Sequence, residues 1–416
     1  MSDLSQAVTF AAGLYRQRAA AAYAAYVRRD QFARLGQRPG RSDPYPIYER
    51  LRAQGTLTSS RLDGLMSTSY PVCDAVLRDR RFGVRPEDGP SPAEQGGIDL
   101  SFLDRNPPDH SRLRRLAAPA FSPKAVATYQ PRIEKVVGDL LDKAVAKPDF
   151  DLVSEFAAPL PIAVITDILG IPDADSAEFT RYGVVIGGAI EGVRSLRHAA
   201  QLQAASLALQ GIFERLFELR RRSPQDDVVS RLIAAEGDQI EPAEMLPMCA
   251  LLLIAGFETT VNLIGNGVLA LLANRSQWEL LSADPEGRAG GAVDETLRHD
   301  PPVHLTSRIA LEPLELEGKQ LRKGDQLVTL IAAANRDPEV YPHPATFDIS
   351  RDNPAPHLAF SGGIHYCLGA PLARLEATVA LRQLAERLPA LTQSAPAKHR
   401  NRTIIRGPLS LPVRPC

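Results

Sequence analysis

Between Leu246 and Ala273 the chain carries one charged residue, Glu258. A run this long with so little charge has to leave water, either inside a large core or inside a bilayer. As an α-helix, Leu246 to Asn274 would extend about 43 Å at 1.5 Å per residue. Glu258 stands mid-segment, beside Asn262, Asn266 and several glycines, and carboxylates within membrane spans are rare. No second span accompanies it. The segment therefore reads as the central helix of a water-soluble core, around which the remaining elements must wrap. A chain of 416 residues with 44% hydrophobic and 23% charged side chains can do this without disulfides. The net charge of −1 offers no overall field for nucleic acid or an anionic membrane.

The flanking sequence sorts into elements. Residues 1–42 form an Ala-rich leader with helical propensity, made basic by Arg16, Arg18, Arg28, Arg29 and Arg34 and punctuated by Tyr15, Tyr23 and Tyr26. It suits a helix docked on the protein or an interfacial membrane helix. Residues 43–416 form the functional domain. Alternating runs at Thr56–Arg61 and Leu65–Tyr70, and again over 303–331 with a turn at Glu317-Gly318, predict a small sheet. Residues 84–100 read as a loop. From His110 to about Asp300 the pattern is helical, broken before Pro123, Pro148, Pro172, Pro224 and Pro242. A Pro-rich meander precedes a helix predicted over Ala370–Arg387, and the end looks like a hairpin. The fold class is mainly α with a small β part. No secretory signal opens the chain, which predicts a cytoplasmic protein.

Of the four cysteines, Cys73, Cys249 and Cys416 read as small hydrophobes, and their spacing excludes a zinc ribbon. Cys367 differs. It lies in Phe360-Ser-Gly-Gly-Ile-His-Tyr-Cys-Leu-Gly369, where glycines permit close approach of the backbone to a flat group. A helical pattern follows, whose N-terminus favours thiolate. A lone thiolate in such a loop suits haem iron. A buried structural cysteine, or a nucleophile with His365 as its base, fits the residues as well. On the apolar helix, Ala255 and Gly256 leave room for a ligand. Thr259 can bond the Ala255 carbonyl four residues back and locally widen the helix. Glu258, alone among apolar residues, is expected to be raised in pKa by burial and to suit proton delivery.

The loop from Phe360 to Gly369, with Gly363, His365 and Cys367, resembles the signature of the cytochrome P450 superfamily at every fixed position, and Ala255-Gly-Phe-Glu-Thr-Thr260 is similar to its oxygen-activation block. The resemblance runs from about Asp43 to Val413 and looks like the soluble bacterial type. It implies a single-domain fold with haem b (iron protoporphyrin IX) between the long central helix and the cysteine-loop helix, and O2 as co-substrate. It further implies that Cys367 is the iron ligand and Phe360 packs on the proximal face. His110, Arg114, Arg308 and His365 would meet the propionates. Thr259 would hydrogen-bond the oxygen being activated, and Glu258 would feed it protons. The implied activity is hydroxylation or epoxidation of a mostly apolar molecule such as a lipid, polyketide or terpenoid, with electrons from a separate ferredoxin and ferredoxin reductase. Oxidative coupling, peroxide-driven oxidation and a non-enzymatic haem sensor are alternatives that the Glu258-Thr259 pair disfavours. The expected protein is a monomer without nucleic-acid partners. Glu295 and Arg298 match the family's Glu-x-x-Arg lock, but its usual third Arg is replaced by Thr346, leaving Arg336 or Arg351 to substitute. Arg112, Arg115 and Arg374 would form a basic docking patch. The substrate pocket is expected among residues 84–104, 176–205 (with Arg181, Glu191 and Arg194), Ala255, Val303–Thr306 and Ile404–Ile405.

Overall fold

The computed structural model describes the chain except residues 1, 2, 61, 63, 87, 88, 90–98, 173–177, 179, 180, 183, 184, 187–192, 194, 353, 354 and 416, and the side chains of residues 3–10. Glu191, Arg194 and Cys416, and most of the loop expected over 84–100, therefore lie outside the described residues.

Helix α1 (Asp3–Tyr26) leads into two short turns of helix, Gln31–Leu35 and Arg38–Ser42. The packed body starts upstream of residue 43. Leu35 is buried in one cluster with Ile47, Tyr48, Met66 and Val328, and Arg406 donates to the Arg41 carbonyl at 2.9 Å. In α1, Ala24 and Ala25 are buried against Ala33, whereas Tyr15, Tyr23 and Tyr26 are exposed.

The main body is helical. It comprises α2 (Asp109–Ala117), α3 (Pro123–Val145), α4 (Pro159–Leu169), α5 (Leu196–Arg222), α6 (Pro242–Ala273), α7 (Pro285–His299) and α8 (Ala370–Arg387). Several of the prolines read as breaks open these helices. Pro123 and Pro242 occupy the first helical turn, where the missing N–H has no intrahelical acceptor to lose. Helix α6 is the apolar segment of the sequence. It is long and apolar enough to cross a membrane, yet 78% of its most apolar stretch is buried inside the protein. Its Glu241 and Glu244 form a reciprocal capping box that satisfies two otherwise orphaned N–H groups. Around α6 one continuous core takes in Phe156, Phe213, Trp278 and the inner faces of α3, α4, α7 and α8.

Among the described residues, the β part is one five-stranded sheet and three smaller sheets of two or three strands. In the sheet, β1 (Thr58–Ser60), β2 (Gly64–Ser67), β3 (Phe82–Gly83), β4 (Thr306–Ala310) and β5 (Gln326–Thr329) lie in the order β1-β2-β5-β4-β3, with β2 parallel to β5. The predicted turn at Glu317-Gly318 is present, with both residues at positive φ (49° and 72°). The C-terminal stretch contains the expected hairpin, with Lys398–His399 antiparallel to Pro408–Ser410. Pro412–Arg414 then joins Thr392–Gln393 and the distant Phe150–Asp151.

Candidate active site

The cysteine loop sits between the sheet and α8. The Cys367 N–H donates to the Phe360 carbonyl at 2.8 Å, closing the loop on itself. Gly363 has φ of 62°, and a Cβ there would lie 2.5 Å from the Leu77 carbonyl, so only glycine fits. A Cβ at Gly369 would instead meet nothing within 4 Å; that glycine borders open space. Cys367 is an exposed thiol, whereas Cys73 and Cys249 are buried. The expected low thiol pKa is corrected. Surrounding protein pushes it up, against N–H groups of Gly369 and Ala370 and the Arg114 charge, which pull it down. Desolvation outweighs the helix terminus and the Arg114 charge together.

Four groups gather beside this loop. His110, from α2, lies 4.3 Å from His365 ring to ring. Both His110 nitrogens and Nε2 of His365 are buried without a hydrogen-bond partner. Burial and the nearby arginines lower the His110 pKa to about 4 and the His365 pKa to about 3, so both rings are neutral at pH 7. Arg308, on β4, is 4% exposed and has no anionic partner among the described residues. It donates to the Ser307 carbonyl at 2.9 Å and to Ser361 Oγ at 3.2 Å, and burial lowers its pKa to about 10. Arg114 donates to the Tyr366 carbonyl at 2.6 Å, next to Cys367. Two guanidiniums without carboxylates and two orphaned imidazoles form a cradle for a dianion. An exposed thiol and two permissive glycines beside it suit a flat group carrying a metal. Phe360 is covered by Arg374, whose guanidinium lies 5.2 Å from the ring centroid.

In α6, Ala255 is exposed within an otherwise buried stretch. Thr259 Oγ1 donates to the Ala255 carbonyl at 2.7 Å, as its helix position predicts. The expected widening is absent: residues 242–273 are regular α-helix, and the one π turn among the described residues is Val153–Ala157. Glu258 is buried but not alone. Its Oε1 accepts from Arg400 Nη1 at 3.0 Å and from Arg402 Nη1, so its surroundings are a buried ion triad rather than the apolar shell that the helix sequence suggests. The partners come from a segment 142 and 144 residues away. Their signal in the sequence is the dense His-Arg-Asn-Arg-Thr-Ile-Ile-Arg run from His399 to Arg406.

The lock is complete, with a substitute. Glu295 and Arg298 are buried at 1% and 0% exposure and pair at 2.7 Å. Arg298 also donates to the carbonyls of Asn335, Pro344 and Thr346. Arg351, not Arg336, reaches Glu295 at 3.3 Å and the Pro342, His343 and Thr346 carbonyls. Arg336 turns to His299 instead. The basic patch is largely neutralised. Arg112 is paired with Glu244 (2.8 Å) and Asp109 (3.0 Å), and Arg374 with Asp294; Arg115 remains exposed. Among the expected pocket segments, Val303 and Ile405 pair through an antiparallel bridge, while Arg181 is engaged by Tyr182 and Glu178.

A helical body with a thiol loop, an anion cradle and a Thr-bearing central helix defines a haem-thiolate type of protein. The comparisons place it further. The cytochrome P450 family model matches residues 291–408. The biotin biosynthesis cytochrome P450 of Bacillus subtilis is 38% identical over 357 residues, covering 84% of this chain and 90% of that protein. Cytochrome P450 monooxygenase PikC of Streptomyces venezuelae is 39% identical over 389 residues, covering 90% and 91%. The crystal structure of P450BioI in complex with an acyl carrier protein ligated to hexadec-9Z-enoic acid superposes with a TM-score of 0.84 at 36% identity, covering 91% of this chain and 100% of that one. The chain belongs to the cytochrome P450 family. It is an oxidoreductase of the monooxygenase type, whose cofactor is haem and whose co-substrate is O2.

Proposed function

We propose that Cys367 is the sole protein ligand of the haem iron and that the enzyme hydroxylates or epoxidises an apolar lipid, polyketide or terpenoid in the cytoplasm, with electrons delivered by a ferredoxin and its reductase. The observation that carries this is the cradle: unpaired Arg308, Arg114 and the orphaned rings of His110 and His365 converge beside the exposed thiol of Cys367.

Bound there, haem supplies the iron redox chemistry by which dioxygen is split. The remaining work falls to side chains. Arg308 and Arg114 would hold the propionates by charge, and neutral His110 and His365 would add N–H donors without the cost of burying two further cations. Phe360 would pack against the bound group. Exposed Ala255 leaves space for dioxygen and substrate beside α6. Thr259 keeps its hydroxyl proton on the Ala255 carbonyl and leaves its oxygen lone pairs free to order a water or accept a proton. Glu258 is anchored through Oε1 by two arginines, while Oε2 has no partner. Oε2 is therefore the atom at which a proton is received and passed on. The bridged Val303 and Ile405 supply part of an apolar wall for the substrate.

The deciding experiment is spectroscopic. The reduced protein with CO should show the long-wavelength Soret band of a thiolate ligand, and Cys367→Ser should abolish it. An unchanged band in the variant would move the ligand elsewhere. Consumption of NADH with a surrogate ferredoxin and reductase, coupled to product, tests the electron route.

A further inference from the structure

Glu258, Asn262 and Asn266 lie four residues apart, so they share one face of α6. All three are buried, at 2%, 0% and 3% exposure. Polar groups so placed are normally satisfied, yet Glu258 Oε2, both amide atoms of Asn262 and Nε of Arg400 have no partner. The segment from Arg400 to Pro408 crosses this face. Arg400 holds Glu258, a Cβ on Gly407 would lie 2.4 Å from Asn262 Oδ1, and one on Gly265 would lie 2.7 Å from the Pro408 ring. Asn266 donates to the Asp300 carbonyl at 3.0 Å.

The far side of the same segment borders a surface pocket. Its walls include Asp43, Tyr45, Asn266, Asp300, Arg400 and Gly407. Asn266, Arg400 and Gly407 thus belong both to the pocket and to the surroundings of the unpartnered atoms. Asp300 at its wall has its carboxyl pKa pulled well down, despite burial, by the nearby His304 ring and by the Tyr45 hydroxyl, which donates to Oδ1 at 2.5 Å. A surface opening, a buried stripe of unsatisfied amide and carboxylate atoms, and a carboxylate oxygen at the inner end are what a chain of ordered waters requires.

We propose that Glu258, Asn262 and Asn266 line a hydrated path that carries protons from the pocket at Asp43, Tyr45 and Asp300 to Oε2 of Glu258. The path rests on the role given to Glu258 above and extends it to the source of its protons. In each hop a water accepts a proton from its outer neighbour and releases another inward. Only O–H bonds are exchanged, and every proton that leaves Oε2 toward Thr259 is replaced from bulk water. Asn262 is a positioning residue: its amide donates to one water and accepts from the next. Arg400 and Arg402 keep Oε1 fixed so that Oε2 stays turned to the path.

The test uses full-length holoenzyme with wild type, Asn262→Leu, Asn262→Ser and Glu258→Gln. A high-resolution crystal structure of the wild type should show water on the Asn262 amide and on Glu258 Oε2, and Asn262→Leu should exclude it. Asn262→Leu should retain haem, slow product formation about tenfold, less than the roughly 10²–10⁴ lost with a proton-transfer group itself, and enlarge the solvent isotope effect. Asn262→Ser, which leaves room for an extra water, should stay near the wild-type rate. If Asn262→Leu does not accumulate as holoenzyme, Asn262→Val serves in its place with the same expectation. A dry stripe in the wild-type crystal overturns the path. So does an Asn262→Leu enzyme of normal rate and isotope effect beside a slowed Glu258→Gln, which would leave Glu258 its role and put the inlet elsewhere. A Glu258→Gln enzyme of normal rate would remove the role of Glu258, and the path with it.

Discussion

Thr259 and Glu258 are neighbours in sequence but are held by different forces. The Thr259 hydroxyl is tied to its own helix; the Glu258 carboxylate is tied to the C-terminal segment through two arginines. Their substitution should therefore read out differently. Thr259→Ala is expected to keep NADH consumption and divert most of the electrons to hydrogen peroxide, measured as the ratio of peroxide to product. Full coupling in this variant would pass the role to Thr260. Glu258→Gln should slow the whole cycle by about 10²–10⁴ and, by leaving Arg400 and Arg402 short of a counter-charge in a buried place, should also lower Tm. In the cradle, Arg308→Ala should release haem more readily than Arg114→Ala, because Arg308 is the more deeply buried cation. Haem transfer to apomyoglobin measures this. Arg112→Ala should leave haem retention intact but loosen α2 from the start of α6, to which Arg112 is tied through Glu244.

At the scale of elements, the lock behind the cysteine loop joins α7 to the meander. Removing one partner of a buried ion pair leaves an uncompensated charge, at a cost of about 3–5 kcal/mol. Arg298→Ala should lose about that much by urea unfolding of the holoenzyme. Arg351→Ala, which leaves Glu295 paired with Arg298, should lose less. Helix α8 carries a different kind of buried acid. Glu376 is 2% exposed, and burial pushes its carboxyl from the ordinary 4.5 up to about 8. The folded protein keeps this proton between pH 4.5 and 8, whereas the unfolded chain loses it. Stability from this group is thus present below 4.5 and is lost as pH rises toward 8. Glu376→Gln should raise Tm by roughly 2–5 °C at pH 8 and leave it unchanged near pH 4.5, as scanning calorimetry would show. An equal shift at both pH values would assign the effect to packing instead.

At the scale of the molecule, α1 is largely exposed and packs at its C-terminal end through Ala24 and Ala25, while the turns that follow it are built into the packed body. Asp30 caps the helix Gln31–Leu35 and accepts from Ser60 at 2.9 Å, and Leu35 is 1% exposed. Deleting residues 1–28 should leave haem content and spectrum intact, whereas deleting 1–42 should remove Leu35 and Arg41 from their contacts and lower Tm.

Local chemistry made much of this protein legible. Pro123 and Pro242 marked helix starts because proline is readily tolerated in a first helical turn, although Pro131 and Pro247 lie further inside α3 and α6. The apolar run around Glu258 read as a buried core helix, which α6 is, and the bounds predicted for the helix Ala370–Arg387 match those observed. The glycine spacing around Cys367 singled out the thiol loop. What the sequence could not supply were partners that only distant chain segments bring. Arg400 and Arg402 turned a lone acid into a triad, Arg351 filled a place where the sequence offered Thr346, and Glu244 and Asp294 took up two cations expected to be free. Helical and strand periodicity report which face of an element is buried, because burial acts within a few residues. They carry no term for the charge that another element places against that face. Ion pairing here is long-range in sequence and short-range in space, so tertiary structure alone decided it.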